Sequence, residues 1–149
     1  MNIHILNSGE KKKIIEDLNE KFGITELPWL LVMAGKGKIR AFSGSMTRDE
    51  IAKLSYDIRI ELPGLYILRE ESDGYRISHD GLFIFKDIAK KNIVDISDEQ
   101  ADEWLRGENI EIDSEDKWVL LGNKGELIGC GKVKDKKVIN YVPRERRVR

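Results

Sequence analysis

The sequence predicts an α+β fold, with a small α/β domain over residues 1–73 followed by a compact β-barrel over residues 74–149. Three observations predict it. Four strand-forming runs crowd the C-terminal end, at Ile110–Ile112, Trp118–Leu121, Glu126–Val133 and Lys137–Val142, divided by the polar turns Gly122-Asn123-Lys124-Gly125 and Asp135-Lys136. The first half alternates helical and extended patterns, as an α/β unit does. The pattern changes between Glu70 and Gly74. A chain of 149 residues buries about 68–70% of the surface its unfolded form exposes, enough for one domain or two small ones sharing a core.

In order, Met1–Leu6 alternates as a strand. Ser8 is expected to cap a helix whose Ile14, Ile15, Leu18 and Phe22 share one face, and Gly23 to end it. Trp29–Met33 and Ile39–Phe42 form a hairpin around Gly35-Lys36-Gly37. Thr47-Arg48-Asp49-Glu50 has the form of a capping box ahead of Ile51, Leu54 and Ile58, and Pro63-Gly64 breaks that helix. Leu65–Leu68 is a strand that turns at Asp73-Gly74. Tyr75–Ser78 and Leu82–Phe85 read as extended. Ser97-Asp98-Glu99-Gln100 is a second capping box, opening a helix striped by Ala101, Trp104 and Leu105 and ended by Gly107. Trp104, Trp118, Leu120, Leu127, Ile128 and Val138 are expected inside.

Charge is the strongest functional signal. The net charge is −1, but it is unevenly spread. Asp95–Asp116 carries ten acids against Arg106, a local −9, whereas Lys132–Arg149 carries eight bases against Asp135 and Glu145, a local +6. The acidic block reads as a solvated helix face and loop. The basic end can steer an anion whatever the overall balance. Its cations are Lys132, Lys134, Lys136, Lys137, Arg144, Arg146, Arg147 and Arg149, and among them stand Asn140 for hydrogen bonding and Tyr141 for stacking. Gly129 and Gly131 complete the candidate site, as places where a nucleic-acid backbone can come close to the main chain. Lys11-Lys12-Lys13 is a lesser candidate.

These same residues carry a family resemblance. Leu127-Ile128-Gly129-Cys130-Gly131-Lys132-Val133, then Asn140-Tyr141-Val142-Pro143 and Arg146-Arg147, resembles the closing segment of the PUA-type RNA-binding module of Sun/Fmu-type rRNA cytosine-C5 methyltransferases. Trp104-Leu105-Arg106-Gly107-Glu108 is similar to a turn of that module and Trp118-Val119-Leu120 to one of its strands. The resemblance covers about Leu65 to Arg149. It implies a PUA-like barrel, and RNA, either rRNA or tRNA, as the partner, in RNA modification or ribosome biogenesis. An RNA-modification enzyme or a ribosomal protein is a further partner it suggests. The other reading is a protein-interaction module, or an accessory subunit that supplies RNA binding to a separate methyltransferase.

The residues argue against chemistry. Two histidines and one cysteine cannot make a usual Cys/His zinc site, so no metal is expected. Ser78, His79 and Asp80 are triad residue types, but consecutive positions in one turn do not give triad geometry. Cys130 reads as a small core residue. Gly35-Lys36-Gly37 lacks the spacing and the ending of a phosphate loop, and no Gly-rich turn for S-adenosylmethionine is visible. A non-catalytic chain without cofactor is therefore expected. The N-terminus has no signal-peptide pattern, and the longest apolar run, Trp29–Ala34, is far short of the roughly 20 residues of a membrane span. These features and the lone cysteine imply a cytoplasmic protein, with no membrane partner.

Overall fold

The computed structural model describes residues 3–42 and 64–149. The capping box expected at Thr47–Glu50, and the helix after it, lie outside the described residues.

The first sheet is an antiparallel meander of strands β1 (Ile3–Ile5), β2 (Leu30–Ala34), β3 (Lys38–Phe42), β4 (Leu65–Glu71) and β5 (Gly74–Ile77), in that order. Helix α1 (Ser8–Phe22) buries Ile14, Leu18 and Phe22, the face its spacing predicts. Asn7, rather than Ser8, is its cap. The Asn7 side chain accepts from the Glu10 amide at 2.8 Å, and the Glu10 carboxylate accepts from the Asn7 amide at 3.0 Å. A capping box places its cap three residues before a reciprocating Glu or Gln, and Asn7 has that spacing to Glu10 while Ser8 does not. Gly23 ends the helix in the left-handed region, at φ 68°.

After β5 the chain enters a 3-10 turn, His79–Gly81, and then a helical turn, α2 (Leu82–Phe85), in place of the extended run expected over Leu82–Phe85. Ser78 is the cause. Its hydroxyl donates to the Tyr66 carbonyl at 2.7 Å and accepts from the Gly81 amide at 3.0 Å, starting a turn that a four-residue apolar run follows as readily as a strand. Leu82 and Phe85 go inward, and Phe83 is left 67% exposed.

The second sheet is curled, in the order β6 (Ile93–Asp95), β8 (Trp118–Asn123), β9 (Glu126–Lys134), β10 (Lys137–Val138), β7 (Ile110–Glu111). β6 runs parallel to β8, and the other pairings are antiparallel. Helix α3 (Asp98–Leu105) closes the curl, and it starts at the expected Ser97/Gln100 box. Three residues in β6 were too few to show a period. The last expected strand is short: β10 ends at Val138, and the chain leaves the sheet before Asn140.

Five of the six residues of β8 are buried, because both of its faces meet a core. Trp118 and Leu120 join α1 and the first sheet, whereas Val119 and Leu121 join Trp104, Ile110, Val133 and Val138 inside the curl. Of the expected core, Trp104, Trp118, Leu120 and Val138 are buried, and Leu127 and Ile128 are partly so.

Asp73, at the tip of the β4–β5 hairpin, ties the sheets together. Its Oδ2 accepts from Trp118 Nε1 at 3.0 Å and from Lys132 Nζ at 2.6 Å. Beside it, Asp17 accepts from the Tyr75 amide at 2.9 Å, and the Lys21 ammonium lies 5.3 Å from the Trp118 ring centroid.

Two outcomes are expected. The Lys132 ammonium, helped by the Trp118 indole, holds the Asp73 carboxyl below its ordinary value of 3.8, so the stability it adds is present above that pH and is lost as pH falls through the lower folded value. Denaturant titrations at several pH values should therefore show Asp73→Asn flattening the stability loss below about pH 4 and costing about 1 kcal/mol at neutral pH, as befits a half-exposed pair. A methyl group on Gly129 would overlap the Trp104 indole at Nε1. Gly129→Ala should destabilise by about 1–3 kcal/mol, read from the urea midpoint, as overpacking in a closed core does.

Candidate nucleic-acid interface

The basic residues gather in two separate places, one near each end of strand β9. Its C-terminal end delivers Lys134 to a two-residue hairpin turn, in which Asp135 and Lys136 both have positive φ, 52° and 63°. Lys137 opens β10. This turn is hemmed by acids: Lys136 pairs with Asp113 at 3.4 Å, and the Asp135 amide donates to Asp116 at 3.0 Å. At the other end of β9, Arg146 borders the surface over Leu127 and Ile128. Seven residues of strand, roughly 23 Å at about 3.3 Å each, separate the two ends. The single patch suggested by the local charge of +6 is therefore two patches.

Several sequence-nominated residues are engaged within the protein. Gly129 and Gly131 are buried, but their missing side chains make room for the Trp104 indole, Val138 and the Ile139 carbonyl. The Trp104 ring also donates to the Ile128 carbonyl at 3.2 Å. The Asn140 amide donates to the Trp104 and Glu108 carbonyls at 2.8 and 2.9 Å, and its oxygen accepts from the Val142 amide at 2.8 Å. Tyr141 stacks on Trp118 at 5.7 Å, with the Arg76 guanidinium 4.4 Å from its ring centroid. Lys132 is held by Asp73, which raises the ammonium's pKa. Lys11 donates to the Trp29 carbonyl, and burial lowers its pKa, which draws it out of a solvated lysine cluster.

The arginine end is built on helix α3. After Leu105 the chain turns at Gly107, φ 96°, and the Arg147 side chain lies against that glycine while its Nε donates to the Val142 carbonyl at 3.2 Å. The Val148 amide donates to the Leu105 carbonyl at 2.9 Å, fixing the C-terminal segment along the helix end. Arg144–Arg146 is a 3-10 turn. Arg146 faces Asp80, with Nε–Oδ1 3.2 Å and a second nitrogen 3.3 Å from Oδ2. Arg144 and Arg149 are exposed and have no side-chain partner among the described residues.

Of the groups considered for chemistry, Ser78 and Cys130 sit in structural roles, whereas the buried His79 Nδ1 has no hydrogen-bond partner among the described residues. Burial pushes the Cys130 thiol up to about 12, so it is neither nucleophile nor ligand at neutral pH. Burial also lowers the His79 pKa, keeping its ring neutral. Among the described residues, no group of three or more His, Cys, Asp and Glu is arranged to hold a metal, and no helix is long and apolar enough to cross a membrane. Sequence reasoning missed the exposed Phe83. Helical rather than extended spacing of Leu82–Phe85 was the signal, and a run of four residues is too short to carry it.

The C-terminal part of the chain is similar to a known domain family. Residues 91–148 match the family described as the methyltransferase RsmF PUA domain. The chain is 32% identical over 104 residues to ribosomal RNA small subunit methyltransferase F of Psychromonas ingrahamii, covering 65% of this chain and 22% of that protein. It is 28% identical over 123 residues to the protein of the same name from Shewanella oneidensis, covering 80% of this chain and 25% of that one. It thus spans a quarter or less of the length of these curated relatives. A crystal structure of a hypothetical protein from Pyrococcus horikoshii OT3 shares the fold, with a TM-score of 0.57 at 12% identity over 93% of this chain and 83% of that one. Over residues 91–148 this chain therefore resembles the PUA domain of the RsmF methyltransferases, within a mixed α/β fold whose second sheet is PUA-like.

Proposed function

We propose that this chain binds RNA through its C-terminal half and serves the modification of ribosomal or transfer RNA, or ribosome assembly, in the cytoplasm, without catalysing a reaction itself. The observation that carries the reading is the row of arginines at the exposed end of a segment matched to the RsmF PUA domain. The curated relatives are named as methyltransferases of small-subunit ribosomal RNA, which makes ribosomal RNA the leading substrate class. Residues 1–73 are proposed as the scaffold and 74–149 as the binding part, with β5 (Gly74–Ile77) pairing back onto β4 across that boundary.

Arg144, Arg146, Arg147 and Arg149 are assigned to phosphates, which guanidinium groups bind bidentately. Lys134, Lys136 and Lys137 form a second, weaker contact, since neighbouring carboxylates oppose an incoming phosphate there. Lys132, Asn140 and Tyr141 support the scaffold instead.

With about four phosphates neutralised on a single strand, log affinity should fall with log salt at a slope near −3. Replacing Arg144 and Arg149 together by alanine should flatten that slope by roughly one unit, whereas Lys134→Ala with Lys137→Ala should change it less. Fluorescence anisotropy with a labelled single-stranded RNA across a salt series measures both. Unchanged affinity and slope in the arginine variant, with thermal stability also unchanged, would sink the assignment of the site.

A further inference from the structure

We propose that the groove between α2 and the start of β9 holds one unpaired base of single-stranded RNA, stacked on Phe83, with Arg146 directed at the adjoining phosphate. The inference rests on the RNA reading above and narrows it to unpaired RNA. The groove encloses about 510 Å³. Leu82, Leu105, Leu127 and Ile128 contribute its apolar wall. Phe83 stands at its border 67% exposed, because the helical turn sends Leu82 and Phe85 inward and leaves this ring without a core to enter. Among the described residues, the other exposed large apolar groups, Val148 and Ile93, are less exposed than Phe83.

Charge complementarity decides the occupant. Arg146 borders the same groove and is steadied there by Asp80, and Arg144 and Arg149 extend the positive charge along the C-terminal segment that packs on Leu105. An apolar slot with an aromatic ring, set in a row of guanidinium groups, fits a ligand that is an anion along its backbone and flat and apolar at its faces. Single-stranded RNA is such a ligand, whereas a duplex keeps its base faces stacked away. His79 lines the groove, and Asp80, its one carboxylate, is matched by Arg146.

The test uses the full 149-residue chain, with a fluorescein-labelled single-stranded oligouridine and a labelled RNA duplex of equal length as probes. Phe83→Ala should weaken single-strand binding by about 5- to 150-fold, the range of one base–aromatic stack, and leave duplex binding alone. The salt slope should stay as in wild type, since no charge is removed. Phe83→Trp should restore single-strand affinity, and its added indole should be quenched by the oligouridine. Circular dichroism melts of both variants should match wild type, because the ring is exposed. If Phe83→Ala binds the single strand like wild type while the Arg144/Arg149 variant loses affinity, the groove proposal is overturned and the RNA reading stands. If the unmodified chain binds neither probe, both are overturned. Should Phe83→Ala instead abolish self-association seen by analytical ultracentrifugation, with RNA binding intact, the groove is a protein contact and the proposal fails.

Discussion

Strand β8 has no face turned to solvent, and that constraint organises the molecule. Burying Val119, Leu120 and Leu121 contributes about 1.5–3 kcal/mol for each side chain, which is available only if an apolar layer stands on both sides of the strand. The first sheet with α1 supplies one layer, and the curl of the second sheet with α3 supplies the other. Neither half presents a complete apolar core without it. A run such as Trp-Val-Leu-Leu, apolar at every position, is what two-sided burial requires, whereas a strand with one wet face would alternate.

The junction follows from the same strand. Trp118 is large enough to reach the N-terminal half, and its indole N–H must then find an acceptor, which Asp73 provides. That carboxylate in turn holds Lys132, and Tyr141 stacks on the Trp118 ring, with Arg76 over the tyrosine. Polar side chains that look like ligand contacts in the sequence are thus spent on fixing the angle between two sheets. Trp104 has the corresponding role inside the curl. It lies on Gly129 and Gly131, and its carbonyl is held by Asn140, so the Gly-x-Gly pattern and the asparagine serve one packing arrangement.

What remains for an interface is the material the cores leave outside. The C-terminal segment is laid along the end of α3 by the Val148–Leu105 backbone bond and by Arg147 against Gly107, and this aligns arginines with the groove bordered by Phe83. The lysine turn sits roughly 23 Å away along β9, where carboxylates of the acidic block pair with it. The opposed charge blocks that stand out in the sequence are therefore partly neutralised against each other at the lysine turn, while at the other end of the curled sheet Arg146 pairs with Asp80 and Arg144 and Arg149 are exposed.

The sequence by itself determined the α1 face, the β2–β3 hairpin, the turn at Asp73-Gly74, the Ser97–Gln100 cap and the strands around Trp118 and Leu127. Each has a periodic apolar pattern or local turn chemistry several residues long, and such signals do not depend on the rest of the chain. It also determined that positive charge gathers at the C-terminus. Only the tertiary structure decided that Leu82–Phe85 is helical, that β6 pairs in parallel with β8, and which cations are unengaged. Short apolar runs are ambiguous in period, a parallel pairing joins segments far apart in sequence, and a lysine or asparagine has the same letter whether it faces water or a buried acceptor. Charge can be counted along a chain, but the partners that occupy it are set by folding.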